Sequence, residues 1–136
     1  LYLNKKHAVM SIKTKQITSL IILFILLSTV GCGHEKIKKQ DLEGDWITVT
    51  AKRNGKKTQT LENVSFSFQN DSIFSTNLFG EKEVFNINYS LPTIEIQSSK
   101  IEELNVIKLS GDTLYIFTRI NQFRYDFELM KNSKEL

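Results

Sequence analysis

From Trp46 to Met130 the chain is a succession of short alternating runs separated by turn residues, and this two-residue period is what most limits its fold. Val64–Phe68 reads Val-Ser-Phe-Ser-Phe, with Val64, Phe66 and Phe68 on one face and Ser65 and Ser67 on the other. In Val84–Tyr89, Phe85, Ile87 and Tyr89 oppose Asn86 and Asn88; in Gln122–Met130, Phe123, Tyr125, Phe127 and Leu129 oppose Arg124, Asp126 and Glu128. Successive side chains of a strand point to opposite faces, so each run predicts a strand that is apolar on one side. Further strands are expected at Trp46–Ala51, Ser72–Leu78, Thr93–Gln97, Glu102–Leu109 and Thr113–Arg119. Gln69-Asn70-Asp71, Gly80-Glu81-Lys82 and Ser110-Gly111-Asp112 supply turns. Pro92 bounds the fifth strand, because proline cannot donate to a ladder. A single helical turn is expected at Lys39–Glu43.

Eight short strands joined mostly by hairpins predict an all-β fold, an eight-stranded antiparallel up-and-down barrel, with a β-sandwich as the alternative. Closure of the barrel removes exposed edges. The inward set is then Trp46, Val64, Phe66, Phe68, Phe74, Phe85, Ile87, Tyr89, Ile116, Phe123, Tyr125, Phe127 and Leu129, most of them aromatic. Such bulk predicts a largely packed interior; the alternative is a small apolar pocket at the open end, for which Phe74, Tyr89, Tyr115 and Tyr125 are the candidate lining residues. Arg124 precedes Tyr125 and so faces away from it, which leaves Arg119 as the candidate for an inward carboxylate clamp.

The N-terminal part has a different character. Lys13 and Lys15 precede an apolar region from Ile17 to Val30, which small Gly31 closes before Cys32, the only cysteine in the chain. Fourteen residues, Thr18 and Ser19 among them, fall short of the about 20 apolar residues that a membrane-spanning helix needs, so the segment reads as a secretory signal peptide helix. The expected organisation is a signal peptide over 1–31, with Met10 as the expected start; a polar tether over 32–41; a barrel over 42–131; and a tail over 132–136. Removing Lys5, Lys6, Lys13 and Lys15 leaves 14 of the 18 Lys+Arg against 15 Asp+Glu. The overall excess of +3 therefore belongs to the leader, and nucleic acid is not an expected partner. With its one cysteine at the boundary, the domain has no disulfide to hold it.

Two short motifs carry a resemblance. Leu27-Ser-Thr-Val-Gly-Cys32 resembles the signal of bacterial lipoproteins, which implies that Cys32 becomes the lipid-modified first residue, palmitate included. Leu42-Glu43-Gly44-Asp45-Trp46 looks like the Gly-x-Trp opening of lipocalin-like domains. There the glycine turns the chain into the first strand and the tryptophan closes the barrel, roles that fall here on Gly44 and Trp46, with Lys131 as the basic partner of the ring. Together these features are similar to the small lipocalin-like lipoproteins of Bacteroidetes. The resemblance implies a non-enzymatic envelope protein anchored to the inner or outer membrane, facing the periplasm or exposed at the surface. Its expected partner is a small hydrophobic ligand or, alternatively, an envelope protein, with the chain acting as an inhibitor or accessory subunit.

No nucleophile elbow, phosphate loop or spaced Cys/His set is present. His34, the only histidine after the leader, stands beside Cys32 and makes no metal site by itself; no metal or cofactor is expected. Lys52-Arg53-Asn54-Gly55-Lys56-Lys57 reads as a solvated hairpin, with a polyanion site as the alternative. Asp71-Ser72-Ile73 and Asp112-Thr113-Leu114 resemble O-glycosylation acceptors, at Ser72 and Thr113, although Asp and Ser/Thr are also favoured at strand starts. One outcome follows from the leader alone: Cys32→Ser abolishes labelling by a fatty-acid analogue and releases the protein from the membrane fraction, whereas persistent labelling contradicts the signal reading.

Overall fold

The computed structural model describes residues 36–133, so the leader, Met10, Cys32 and His34 lie outside the described residues. A short helix, α1 (Lys39–Leu42), precedes nine strands: β1 (Gly44–Arg53), β2 (Lys56–Lys57), β3 (Ser65–Gln69), β4 (Ile73–Phe79), β5 (Glu81–Ser90), β6 (Thr93–Ile96), β7 (Glu103–Ser110), β8 (Thr113–Ile120) and β9 (Phe123–Lys131). All pairings are antiparallel between neighbours, and β1 also pairs with β9. That last ladder closes an eight-stranded up-and-down barrel, and among the described residues no second sheet faces it as a sandwich would require. The extra strand is β2, two residues that follow the Asn54-Gly55 turn and pair with the end of β1. Asn54 and Gly55 both have positive φ, at 49° and 79°, as the tight hairpin turns with a right-handed strand twist demand.

The interior is filled from both ends. Trp46, Phe66, Phe68, Phe74 and Phe127 are fully buried together with Leu114, Ile116 and Leu129. Phe66 meets Phe127 edge-on at 5.0 Å between centroids, and Phe74 lies against Phe66, Phe68 and Phe85 at 6.1, 5.2 and 6.2 Å. Offset and edge-on contacts of this kind add to the area that the rings bury. Of the expected inward set, Phe85, Tyr89 and Tyr125 are only partly buried, and Phe123 reaches 37 % exposure at the rim.

At one end α1 serves as a plug. The Asp41 carboxylate accepts from the Lys38 amide at 2.8 Å, which fixes the turn, and Leu42 is buried completely. The Trp46 indole donates to the Leu42 carbonyl at 2.8 Å, joining plug to wall. Gly44 makes the bend into β1 at φ +122°, where an added Cβ would come within 3.2 Å of Lys131 Cε. The Lys131 ammonium stands over the Trp46 ring at 5.5 Å, the place expected for the basic partner of that ring. At the other end Ile101, from the β6–β7 connection, and Val64, before β3, are buried in the same core.

Three β-bulges interrupt the alternation, after Thr48, Thr76 and Val106. Each adds a residue and shifts the in–out parity beyond it. Two of the extra residues, Val49 and Ile107, stand 48 % and 54 % exposed although both are apolar.

Two substitutions test this architecture by urea denaturation. Phe66→Ala, which hollows the centre of the ring cluster, is expected to cost about 3–5 kcal/mol. Trp46→Phe removes the indole donor from a buried carbonyl and is expected to cost about 1–3 kcal/mol; a loss below about 0.5 kcal/mol would mean that this bond does not hold the plug to the wall.

Candidate functional site

The four residues expected to line one pocket are not brought together. Phe74 is fully buried within the ring cluster. Tyr89 pairs with Ile94 and lies near Asp71 and Glu43, at the end that α1 closes. Tyr125 pairs with Thr118 and Arg53 at the opposite rim. Tyr115 pairs with Glu128, between inward Leu114 and Ile116, so its ring stands on the outer wall and its hydroxyl lies 3.4 Å from the Glu128 carboxylate. The reason is pleating: Ile116 and Leu114 take the inside positions, and an odd neighbour must point out.

Two concavities of the described residues lie on the outer wall. One, of about 330 Å³, runs across β7, β8, β9 and β1, between Thr50, Lys52, Gly55, Ile107, Tyr115 and the carboxylates of Asp126 and Glu128. Its apolar members owe their place to the bulge at Ile107 and the outward register of Tyr115. Ile47 and Met130, direct cross-strand neighbours, stand 45 % and 51 % exposed on the same wall, beside Val49. The other, of about 380 Å³, is mixed in character, with Ile47 on its edge among Asp45, Ser65, Ser67, Ser75, Asn77 and Lys82.

The arginines fall differently from the sequence expectation. Arg124 is outside, as pleating requires: its guanidinium lies 3.9 Å above the Phe117 ring and binds Asp126 through Nε and Nη2 at 2.8–3.1 Å. That hydrogen bond raises the Arg124 pKa further. Arg119 sits directly opposite Arg124 and shares its outward side, so it is no inward clamp. Arg53 is the arginine on the inner side of the rim, opposite Tyr125 and 3.9 Å over the Phe123 ring. Alternation counted from Trp46 puts Arg53 outside; the bulge at Val49 reverses the count, and the sequence carries no plain mark of that bulge.

Among the described residues no three His, Cys, Asp or Glu side chains come together as metal ligands. Glu83 turns inward beside Thr76 at the rim, where it forms an ion pair with Lys100. Ser72 is exposed with its hydroxyl donating to the Asn70 carbonyl at 3.2 Å, and Thr113 opens β8. No protein-family model matches the chain, and no curated protein matches it.

Tyr89 gives a spectroscopic handle on the closed end. Burial, then the negative charges of Asp71 and Glu43, push its phenol from 10.0 up to about 12. Because the fold favours the neutral phenol, Tyr89 supports the folded state below about pH 10 and loses that effect as pH rises through about 12. Ultraviolet titration should show one phenol ionising late, near pH 12, and Tyr89→Phe should remove that phase.

Proposed function

We propose that this chain is a lipid-anchored, non-enzymatic protein of the bacterial cell envelope, held at Cys32 and facing the periplasm, whose solid barrel serves as a protein-interaction module. The supporting observation is the division between inside and outside. Phe66, Phe68, Phe74 and Phe127 occupy the space in which a lipocalin-like carrier would hold a small apolar ligand. The outer wall instead carries a groove with exposed Ile107 and, beside it, Ile47, Val49 and Met130. Apolar side chains grouped on a surface and rimmed by Lys52, Asp126 and Glu128 suit an apolar contact with a polar margin, the usual anatomy of a protein interface.

The leader supports the anchor and the compartment. Gly31-Cys32 after an apolar run resembles a lipoprotein signal, and because Ile37 packs against the core and α1 begins at Lys39, the tether would be the four residues from Gly33 to Lys36, about 13 Å if extended. The Gly44-x-Trp46 opening, with Lys131 over the indole, supports kinship with the small lipocalin-like lipoproteins of Bacteroidetes. In this reading the fold is a rigid frame, and specificity comes from its outer wall.

Site-specific photo-crosslinking in cells tests the module. A benzophenone side chain at Ile107 is expected to give a discrete protein adduct, and one at Val84, which is 65 % exposed on another strand, is expected to give none. No adduct at Ile107, together with a lipid that copurifies with the chain, would contradict the module and favour a carrier.

A further inference from the structure

Two hairpins at the rim away from α1 carry an unbalanced charge. The β1–β2 hairpin sets Lys52 opposite Lys57 and Arg53 opposite Lys56, and the β8–β9 hairpin sets Arg119 opposite Arg124. Like charges directly across an antiparallel pair repel and weaken it. Here three such pairs occur in neighbouring hairpins, which are also clipped together: the Asn54 amide donates to the Arg124 carbonyl at 2.8 Å, and the Arg124 amide donates to Asn54 Oδ1 at 2.9 Å. The cations are thus held close when separation would relieve them. Local rules broken in this way tend to mark a binding site.

The rim also contains its own template for what it binds. Arg124 stands over the Phe117 ring at 3.9 Å and donates from Nε and Nη2 to the Asp126 carboxylate. Arg53 repeats the first half of that arrangement, 3.9 Å over Phe123, and of the six cations only Arg124 takes part in an ion pair among the described residues. A guanidinium fixed by an aromatic face keeps its fork of donors ready for a two-oxygen anion. We propose that this rim docks an acidic segment of a partner protein, with Arg53 taking a carboxylate of that segment as Arg124 takes Asp126.

The proposal rests on the barrel being an interaction module and names the chemistry of the partner. The rim is continuous with the outer groove through Lys52, Gly55 and Asp126. That groove favours a flexible polypeptide over a flat anionic surface: Asp126 and Glu128 would repel a lipid bilayer laid across the wall, whereas an extended acidic chain can bring its carboxylates to the rim cations and set any apolar residues beside Ile107 and Tyr115. Charge complementarity of this kind governs encounter rate and specificity and weakens with salt.

The experiment uses the full chain in neutral detergent micelles with fluorescein-labelled poly-L-glutamate as probe, read by anisotropy. Salt-sensitive binding is expected. Arg53→Gln should weaken it about fivefold or more, and Arg53→Lys should recover only part of the loss, because lysine keeps the charge without the fork. Lys38→Gln, at the other end of the barrel, should stay within about twofold, since a screened distant charge contributes little. Equal binding by the Arg53→Gln and unaltered chains overturns the proposal. Displacement of the probe when phosphatidylglycerol is doped into the micelles also overturns it, in favour of a lipid surface. If Ile107 still crosslinks to protein while poly-glutamate fails to bind, the acidic partner is wrong and the module reading stands.

Discussion

The ladder between β1 and β9 is the contact on which the other features depend. It runs from Trp46 opposite Lys131 to Arg53 opposite Tyr125, joining the first full strand of the barrel to the last. Without it the meander would be an open sheet with two exposed edges and its apolar face uncovered. With it the apolar faces of eight strands converge on one axis, and the rings of Phe66, Phe68, Phe74 and Phe127 fill the small bore that eight strands leave. The same ladder places Lys131 over Trp46 and thereby completes the plug begun by α1, and it sets Arg53 beside the β8–β9 hairpin. A domain without a disulfide is therefore held by packing and by one long-range strand pairing.

Closure also separates two kinds of surface. Inward positions are taken by groups chosen for volume, and there is little freedom left at them for recognition. Outward positions are freed from packing, so an exposed Ile47, Val49, Ile107 or Met130 and a cluster of like charges need another explanation. Ile47 and Met130 point outward by regular alternation, and bulges add two more: Val49 and Ile107 are each the extra residue of a register shift. These irregularities surround the groove and border the basic rim, so the features that break the simple pattern lie together on one wall.

That pattern explains how much could be read from the sequence. Strict alternation in Val64–Phe68 and in Phe123–Leu129, with turn residues between runs, was enough to define the barrel, its strand order and most of its core. The places of Gly44, Trp46 and Lys131 were anticipated through the resemblance to a Gly-x-Trp opening and not from the alternation: Gly44 makes the bend at positive φ and Lys131 stands over the Trp46 ring. β2 was not, since two lysines after Asn54-Gly55 carry no apolar period. The inner position of Arg53 was hidden by the bulge at Val49, which depends on register across strands distant in sequence. Tyr115 was misplaced because its phenol suggested a pocket, while its register between Leu114 and Ile116 sends it out. Phe74, Tyr89 and Tyr125 do share an inner side, but the height of each along the barrel is set by strand stagger, which no single run encodes.

The central claim is that the barrel is solid and acts through its outside. Titration of the full chain with cis-parinaric acid, in parallel with the same chain carrying Phe74→Ala, tests it most directly, because an emptied apolar site becomes able to hold an apolar guest. The account predicts no saturable uptake by the unaltered chain, and gain of uptake, if any, only in Phe74→Ala. Stoichiometric uptake by the unaltered chain that Phe74→Ala alters would contradict it and would make the interior a ligand site.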